Sequence, residues 1–222
     1  MDKRYENLET PYTRLNPESC ALLTVDVQND WGDPGGARPM PDLDRVIPNI
    51  LEVVDSFRRA GRPIVHVVRI YLEDASNVDY CRRWQFERGE ARAVVAGSWG
   101  SQLVASLNPT GEELDVPALL DGRMQELTHT EFVMYKPRFG AFHGTPLKDF
   151  LEEKGIDSVV IVGITFPNCV LATQLGATDN DFRVGLVPGA CTQVDEAGLR
   201  AMQNKGVQLM SVGELKDFLG IA

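Results

Sequence analysis

Apolar residues fall into short continuous runs, separated by stretches in which they recur every three or four positions. Residues 20–27 (CALLTVDV) and 64–70 (IVHVVRI) are runs of strand length, and 131–135, 158–163 and 182–187 read the same way, with a short sixth at 207–210. Between the first two, Leu43, Val46, Ile47, Ile50, Leu51, Val54 and Phe57 share one helical face. Gly61 stands where a helix C-terminal glycine belongs, and Pro48 fits a helix that begins just before it. Further helices are predicted over 146–154, 169–179, 195–205 and 213–219. Strands that are apolar on both faces belong in a parallel sheet covered by helices. Their alternation with helices implies right-handed crossovers. The pattern therefore predicts an α/β fold, a doubly wound, mostly parallel six-stranded sheet with helices on both faces. It forms one domain over 1–222, with a polar N-terminal arm at 1–19.

One region departs from the alternation. About 60 residues separate the strand ending near Ile70 from the one starting at Glu131, punctuated by Gly97, Gly100, Gly111, Gly122, Pro109 and Pro117. A connection of that length covers a site, builds an oligomer contact, or is a helix with a wandering surface loop.

Composition narrows the classes. The 222 residues, 43% hydrophobic and 24% charged, are those of a globular protein with a real core. A net charge of −10 argues against a nucleic-acid surface. No apolar run reaches the roughly 18 residues that spanning a bilayer needs, and the polar N-terminus lacks the apolar segment of a signal peptide. The four cysteines, Cys20, Cys81, Cys169 and Cys191, lie far apart with no CxxC pair. They form neither a disulfide framework nor a zinc ligand set. The expectation is a soluble, acidic, cytoplasmic domain with reduced thiols.

In a parallel sheet, ligands bind beyond the carboxyl ends of the strands. The first run delivers Asp26 there, the run at 131–135 delivers Lys136, and the run at 158–163 turns through Thr165 and Asn168 into Cys169, read as the first residue of a helix. Alone, a lysine after a strand is a solvated charge and a single cysteine a small buried hydrophobe. Together they bring an acid, an ammonium and a thiol to one edge. A buried Asp26 needs a partner such as Lys136. A helix N-terminus and a nearby ammonium both favour a thiolate. Lowering the Cys169 pKa by two, worth about 2.7 kcal/mol, would leave it mostly ionised. No GxGxxG follows the first strand, which disfavours a dinucleotide binder.

Three stretches, LLTVDVQNDW (22–31), YKPRFGAFHGTPL (135–147) and VGITFPNCVLAT (162–173), occur in order. On these the chain resembles the isochorismatase-like cysteine hydrolases, a family with a Rossmann-like fold. Nicotinamidases and the N-carbamoylsarcosine, ureidoacrylate and maleamate amidohydrolases belong to it. The resemblance implies a catalytic triad of Asp26, Lys136 and Cys169, and an oxyanion hole of the Thr165 and Cys169 backbone N–H groups. It also implies a cis peptide between Ile164 and Thr165, and a homo-oligomer, dimer or tetramer. The implied activity is hydrolysis of a C–N amide or ureido bond in a small molecule, through a Cys thioester that releases ammonia or an amine, with no cofactor. HVVRIYLEDASNVDYCRR (66–83), with FPNC and DFR (181–183), resembles the branch near the ureidoacrylate, streptothricin and biuret hydrolases. Nicotinamidases carry a metal-binding Asp and His pair after the second strand. Here no histidine follows His66 in that stretch, and no metal is expected. Gly140-Ala141-Phe142 replaces the Ser-Ala-Phe of many members.

Substrate-binding candidates are Trp31, Phe142 and Phe166 as pocket wall or core, and Arg69 as a grip on a carboxylate or carbonyl. Arg82, Arg83, Arg88 and Arg92 read as a solvated helix face paired with Glu87 and Glu90. Two other functions stand beside the amidohydrolase. Vinyl-ether hydrolysis of the isochorismatase type needs no thiol, so the cysteine at 169 disfavours it. A non-catalytic small-molecule-binding domain would leave Cys169 no more reactive than the other thiols.

Overall fold

The structure, a computed structural model, describes residues 7–90 and 92–221. Its centre is a sheet of β1 (Cys20–Val25), β2 (Ile64–Val68), β3 (Gln125–Thr128), β4 (Glu131–Tyr135), β5 (Ser158–Gly163), β6 (Arg183–Cys191) and β7 (Gln208–Leu209). The order is β3-β4-β2-β1-β5-β6-β7. All pairings are parallel except β3 with β4. The sheet thus has seven strands rather than the six expected. The extra strand, QELT, lies at the edge with only Leu127 buried, so it shows no apolar run in the sequence.

β1, β2 and β5 are buried at every position, as a sheet packed on both faces requires. One face holds Leu23, Val65, Ile161 and Leu186 against the helices Leu147–Glu153 and Leu171–Asp179. The other holds Leu22, Ile64 and Val160 against Ile50, Val54 and Phe57 of the helix Leu43–Arg59. That helix starts five residues before Pro48, earlier than expected. Pro48 is exposed, so the carbonyl its missing N–H leaves free is open to solvent. The helix ends as expected: Gly61 has φ +64°, its N–H donates to Arg58 O, and Arg62 N–H donates to Phe57 O.

The long connection from 71 to 124 contains only short elements, among them Tyr80–Arg82, Arg83–Glu87 and Val116–Leu120. Tyr71 pairs with Val95 and Gln28 with Leu103, which ties this segment over the carboxyl ends of the strands. Tyr71, Asp79, Arg82 and Phe86 of this segment line the cavity described below. No helix among the described residues is long and apolar enough to cross a membrane.

His66, mid-strand in β2, is fully buried. Its Nδ1 is 2.8 Å from Thr24 Oγ1 and its Nε2 is 3.3 Å from Glu131 Oε2. Glu131 also accepts two bonds from Arg58, at 2.8 and 2.9 Å. Burial pushes the Glu131 carboxyl up, but the bonds from His66 and Arg58 outweigh it and hold the group at about 2. Burial holds the His66 imidazole below its ordinary value.

Candidate active site

Four neighbouring strands each deliver a residue to the site, and in three of them that residue continues the ladder one step beyond the sheet proper. Asp26 follows β1 and donates its N–H to Val67 O at 2.8 Å; Lys136 follows β4 and donates to Val68 O at 3.0 Å. Ile164 follows β5 and donates to Val25 O at 2.8 Å, and Arg69 follows β2. This row spans the β1–β5 boundary, where the chain switches from building one side of the sheet to the other. β5 runs close to β1 there. Gly163 has φ +132°, and a Cβ on it would lie 2.2 Å from Val25 O. Asp26 itself has φ +56°, a left-handed conformation uncommon outside glycine and typical of functional positions.

Lys136 Nζ lies 2.9 Å from Asp26 Oδ2 and 3.4 Å from Cys169 Sγ. Asp26 and Lys136 are both buried, while Cys169 is partly exposed toward the pocket. Burial works against the Lys136 ammonium, but the Asp26 carboxylate and the sulfur outweigh it, and the pKa ends above the ordinary value. The lysine is therefore charged. Asp26 Oδ1 has no hydrogen-bond partner among the described residues, which leaves its lone pairs free.

Cys169 corrects two expectations. It is not the first residue of its helix: a wide turn over Phe166–Val170 precedes Leu171–Asp179, and Val170 N–H donates to Thr165 O at 3.2 Å. Nor is it poised as a thiolate. Burial pushes the thiol up to about 12, the Asp26 carboxylate adds to the rise, and Lys136 opposes it without prevailing. Asp26 already neutralises much of the lysine's field, which the sequence reading left out of account. At rest the thiol keeps its proton beside the Asp26–Lys136 ion pair.

The peptide between Ile164 and Thr165 is cis. The Thr165 N–H donates to no group among the described residues, and Asn168 Nδ2 donates to Thr165 Oγ1 at 3.1 Å.

These groups open onto a cavity of about 240 Å³, below the ~300–1,000 Å³ of sites for drug-sized ligands, so it suits a small molecule. Trp31, Tyr71, Phe86 and Phe139 supply aromatic wall, and Asn168 and Gln193 supply amides. Trp31 is thus on the pocket, whereas Phe142 and Phe166 are not. Phe166 is fully buried against Gly198, and Phe142 packs on Gly176 and the Phe182 ring. Both belong to the core beneath the helix Leu171–Asp179. Arg69 lines the cavity but is not a free grip. Its guanidinium is paired with Asp79, donates to Lys136 O at 3.1 Å, and lies 4.9 Å over the Tyr71 ring. Gln28 accepts from Arg69 N–H and donates to Arg69 O, both at 2.8 Å, fixing its backbone as well.

This pair also occupies the place after β2 that the resemblance associates with a metal. Asp79 is neutralised by a guanidinium, and both His66 nitrogens face Thr24 and Glu131 in the interior. Such a donor set does not fit a metal ion. Gly140 is explained too: a Cβ there would stand 2.9 Å from Ala172 O, so the loop after Lys136 sits on the helix too closely for a serine. Sequence reasoning missed Asp79, Phe139, Asn168 and Gln193. Asn168 lay within the FPNC motif, whose asparagine went unassigned, and the others lie in loops without periodicity.

Comparison with known proteins supplies the family. An "Inactive" qualifier appears on one curated relative, the "Probable inactive nicotinamidase" of Arabidopsis thaliana, 26% identical over 206 residues, 90% of this chain and 96% of that protein. The N-carbamoylsarcosine amidase of an Arthrobacter species is 27% identical over 164 residues, 73% of this chain and 55% of that longer protein. The crystal structure of an isochorismatase family protein from Desulfovibrio vulgaris has a TM-score of 0.75 at 28% identity. The match covers 91% of this chain and 98% of that one. Residues 20–117 and 116–214 match the Isochorismatase domain. The chain belongs to the isochorismatase-like hydrolase family, whose members include amidases.

Proposed function

We propose that the chain is a cysteine amidohydrolase that cleaves a C–N amide or ureido bond of a small molecule. The observation that carries this reading is the placement of Lys136 Nζ between Asp26 Oδ2, at 2.9 Å, and Cys169 Sγ, at 3.4 Å, on the floor of a small pocket. A buried ion pair alone adds little to stability. Beside a thiol it supplies a base and a counter-charge in one place.

In the proposed reaction Asp26 takes the Cys169 proton as sulfur attacks the substrate carbonyl, and Lys136 balances the negative charge that develops. The carbonyl oxygen becomes an oxyanion held by the Thr165 and Cys169 N–H groups. Asp26 returns its proton to the leaving nitrogen, the C–N bond breaks, and ammonia or an amine departs. Asp26 then deprotonates a water that attacks the thioester carbon, the C–S bond breaks, and the thiol regains its proton. The neutral resting thiol suits this order, because nucleophile and base form in the same step. No cofactor enters the reaction. The proposal includes a homo-oligomeric assembly, which a monomeric elution profile would overturn.

A coupled ammonia-release screen over primary amides, ureido acids and carbamoyl amino acids tests the reading. It expects turnover in at least one class, loss of that turnover in Cys169→Ala, and an acyl adduct on Cys169 by mass spectrometry. Turnover unchanged in Cys169→Ala would overturn it.

A further inference from the structure

The charge lining the cavity runs against that of the chain. The protein has a net charge of −10, yet four cationic side chains, Arg38, Arg69, Arg82 and Lys136, line the cavity against two carboxylates, Asp26 and Asp79. Both carboxylates are taken: Asp26 by Lys136, and Asp79 by Arg69. Arg38 and Arg82 have no carboxylate partner among the described residues. The pocket therefore holds two guanidinium charges that no carboxylate among the described residues answers.

Arg82 is the better placed. It is partly buried, its N–H donates to Asp79 O at 2.8 Å, and its guanidinium lies 4.7 Å over the Phe139 ring. Stacking on a ring fixes the plane of a guanidinium while leaving its edge donors free for a bidentate carboxylate. Phe139 belongs to the loop leaving Lys136, so this stack ties the free cation to the catalytic lysine's own segment. Arg38 is exposed. The neighbouring arginines are otherwise occupied: Arg83 donates to Ser76 O at 2.9 Å, Arg92 pairs with Glu73, and Arg88 stacks on Trp84 away from the cavity. The sequence reading gave the anion-gripping role to Arg69 and left Arg82 on a solvated face. In the structure Arg69 is the paired one and Arg82 the one without a carboxylate partner among the described residues.

We propose that Arg82 is a specificity-determining residue that binds the carboxylate of an acidic substrate, a ureido acid or the half-amide of a dicarboxylic acid, whose C–N bond lies at Cys169. This rests on the hydrolase reading for the reaction, but the anion subsite can be tested without turnover.

Matched haloacids and haloamides provide the test: iodoacetate with iodoacetamide, and 3-bromopropionate with 3-bromopropionamide. Alkylation of Cys169 is followed by mass spectrometry in the wild type and, for a more reactive sulfur, in Asp26→Asn. The acid-to-amide rate ratio is normalised to that of glutathione. For at least one reagent length it should exceed the glutathione ratio at least tenfold, saturate with haloacid concentration, and fall in 0.5 M salt on the order of the screening expected. Arg82→Met should abolish the preference, and Arg88→Met should keep it. A ratio no greater than that of glutathione at both lengths, or a preference that survives in Arg82→Met, overturns the proposal. Ammonia release from carbamoyl amino acids and their neutral amides is read separately. A haloacid preference without turnover of any compound would leave the subsite standing and remove the hydrolase reading. Turnover of acids and amides with equal KM, without a haloacid preference, would do the reverse.

Discussion

Asp26 and Lys136 share one ion pair at 2.9 Å, contributed by two strands, β1 and β4, that are not neighbours in the sheet. β2 lies between them, and both partners have side chains no more than 2% exposed. The pair therefore depends on three strands holding register, and it sets the charge seen by Cys169.

Replacing Asp26 by Asn should separate reactivity from catalysis. Without a carboxylate beside the sulfur, the Lys136 ammonium acts unopposed and the thiol pKa falls. Alkylation of Cys169 near neutral pH should then be faster than in the wild type, whose thiol is held at about 12. Amide hydrolysis should drop by roughly 10²–10⁴, the usual contribution of a general base. Slower alkylation in Asp26→Asn would contradict the charge assignment.

Lys136→Met leaves Asp26 buried without its counter-charge. That should cost about 3–5 kcal/mol of stability, read from urea midpoints. The double variant Asp26→Asn with Lys136→Met should recover a large part of the loss, since no lone charge remains inside. Additive losses in the double variant would show that the two side chains do not act as a pair.

Acid stability should depend on Glu131. Its folded pKa of about 2 lies below its ordinary value, so its contribution is complete above about 4.5 and disappears as the pH falls toward 2. His66, whose folded pKa is also lowered, subtracts stability as the pH falls below its ordinary 6.5, because only the unfolded chain readily takes the proton. In Glu131→Gln the denaturation midpoint should be lower at pH 6 than in the wild type, with the difference narrowing between pH 4.5 and 2.

Gly163 and Gly155 both have positive φ, but only at Gly163 does an added Cβ meet backbone, at 2.2 Å from Val25 O. Gly163→Ala should cost at least about 2 kcal/mol or yield no folded protein. Gly155→Ala, with nothing within 4 Å, should cost only about 1 kcal/mol of conformational strain. Equal midpoints for the two variants would refute the argument from close approach.

The sheet's interior was legible because β1, β2 and β5 are apolar at nearly every position, and a continuous run of strand length admits few other readings. β3 was not, since an edge strand with one buried residue leaves no such trace. Asp26 and Lys136 could be picked out because each follows a strand, and Cys169 because it lies in the turn that leaves a third. The protonation state of Cys169 could not, because it turns on how far Asp26 cancels Lys136, a matter of distances. Phe142 and Phe166 read equally as pocket wall or core from their place beside the site residues, and the structure packs both with the core. Arg69 read as the anion grip and Arg82 as part of a solvated face, because letters alone do not show which of them is already paired. Only Asp79 decides between them, and it reaches Arg69 across a loop of ten positions.

Asp26 and Lys136 are anchored by ladder bonds and Cys169 by the wide turn after β5, whereas Tyr71, Asp79, Arg82 and Phe86 all come from the connection after β2. On the proposed reading, the reacting groups and much of the pocket wall therefore come from separate stretches of polypeptide. Grafting a different segment between Ile70 and Val95 would be the natural way to redirect the enzyme toward a new compound while its cutting edge stays as it is.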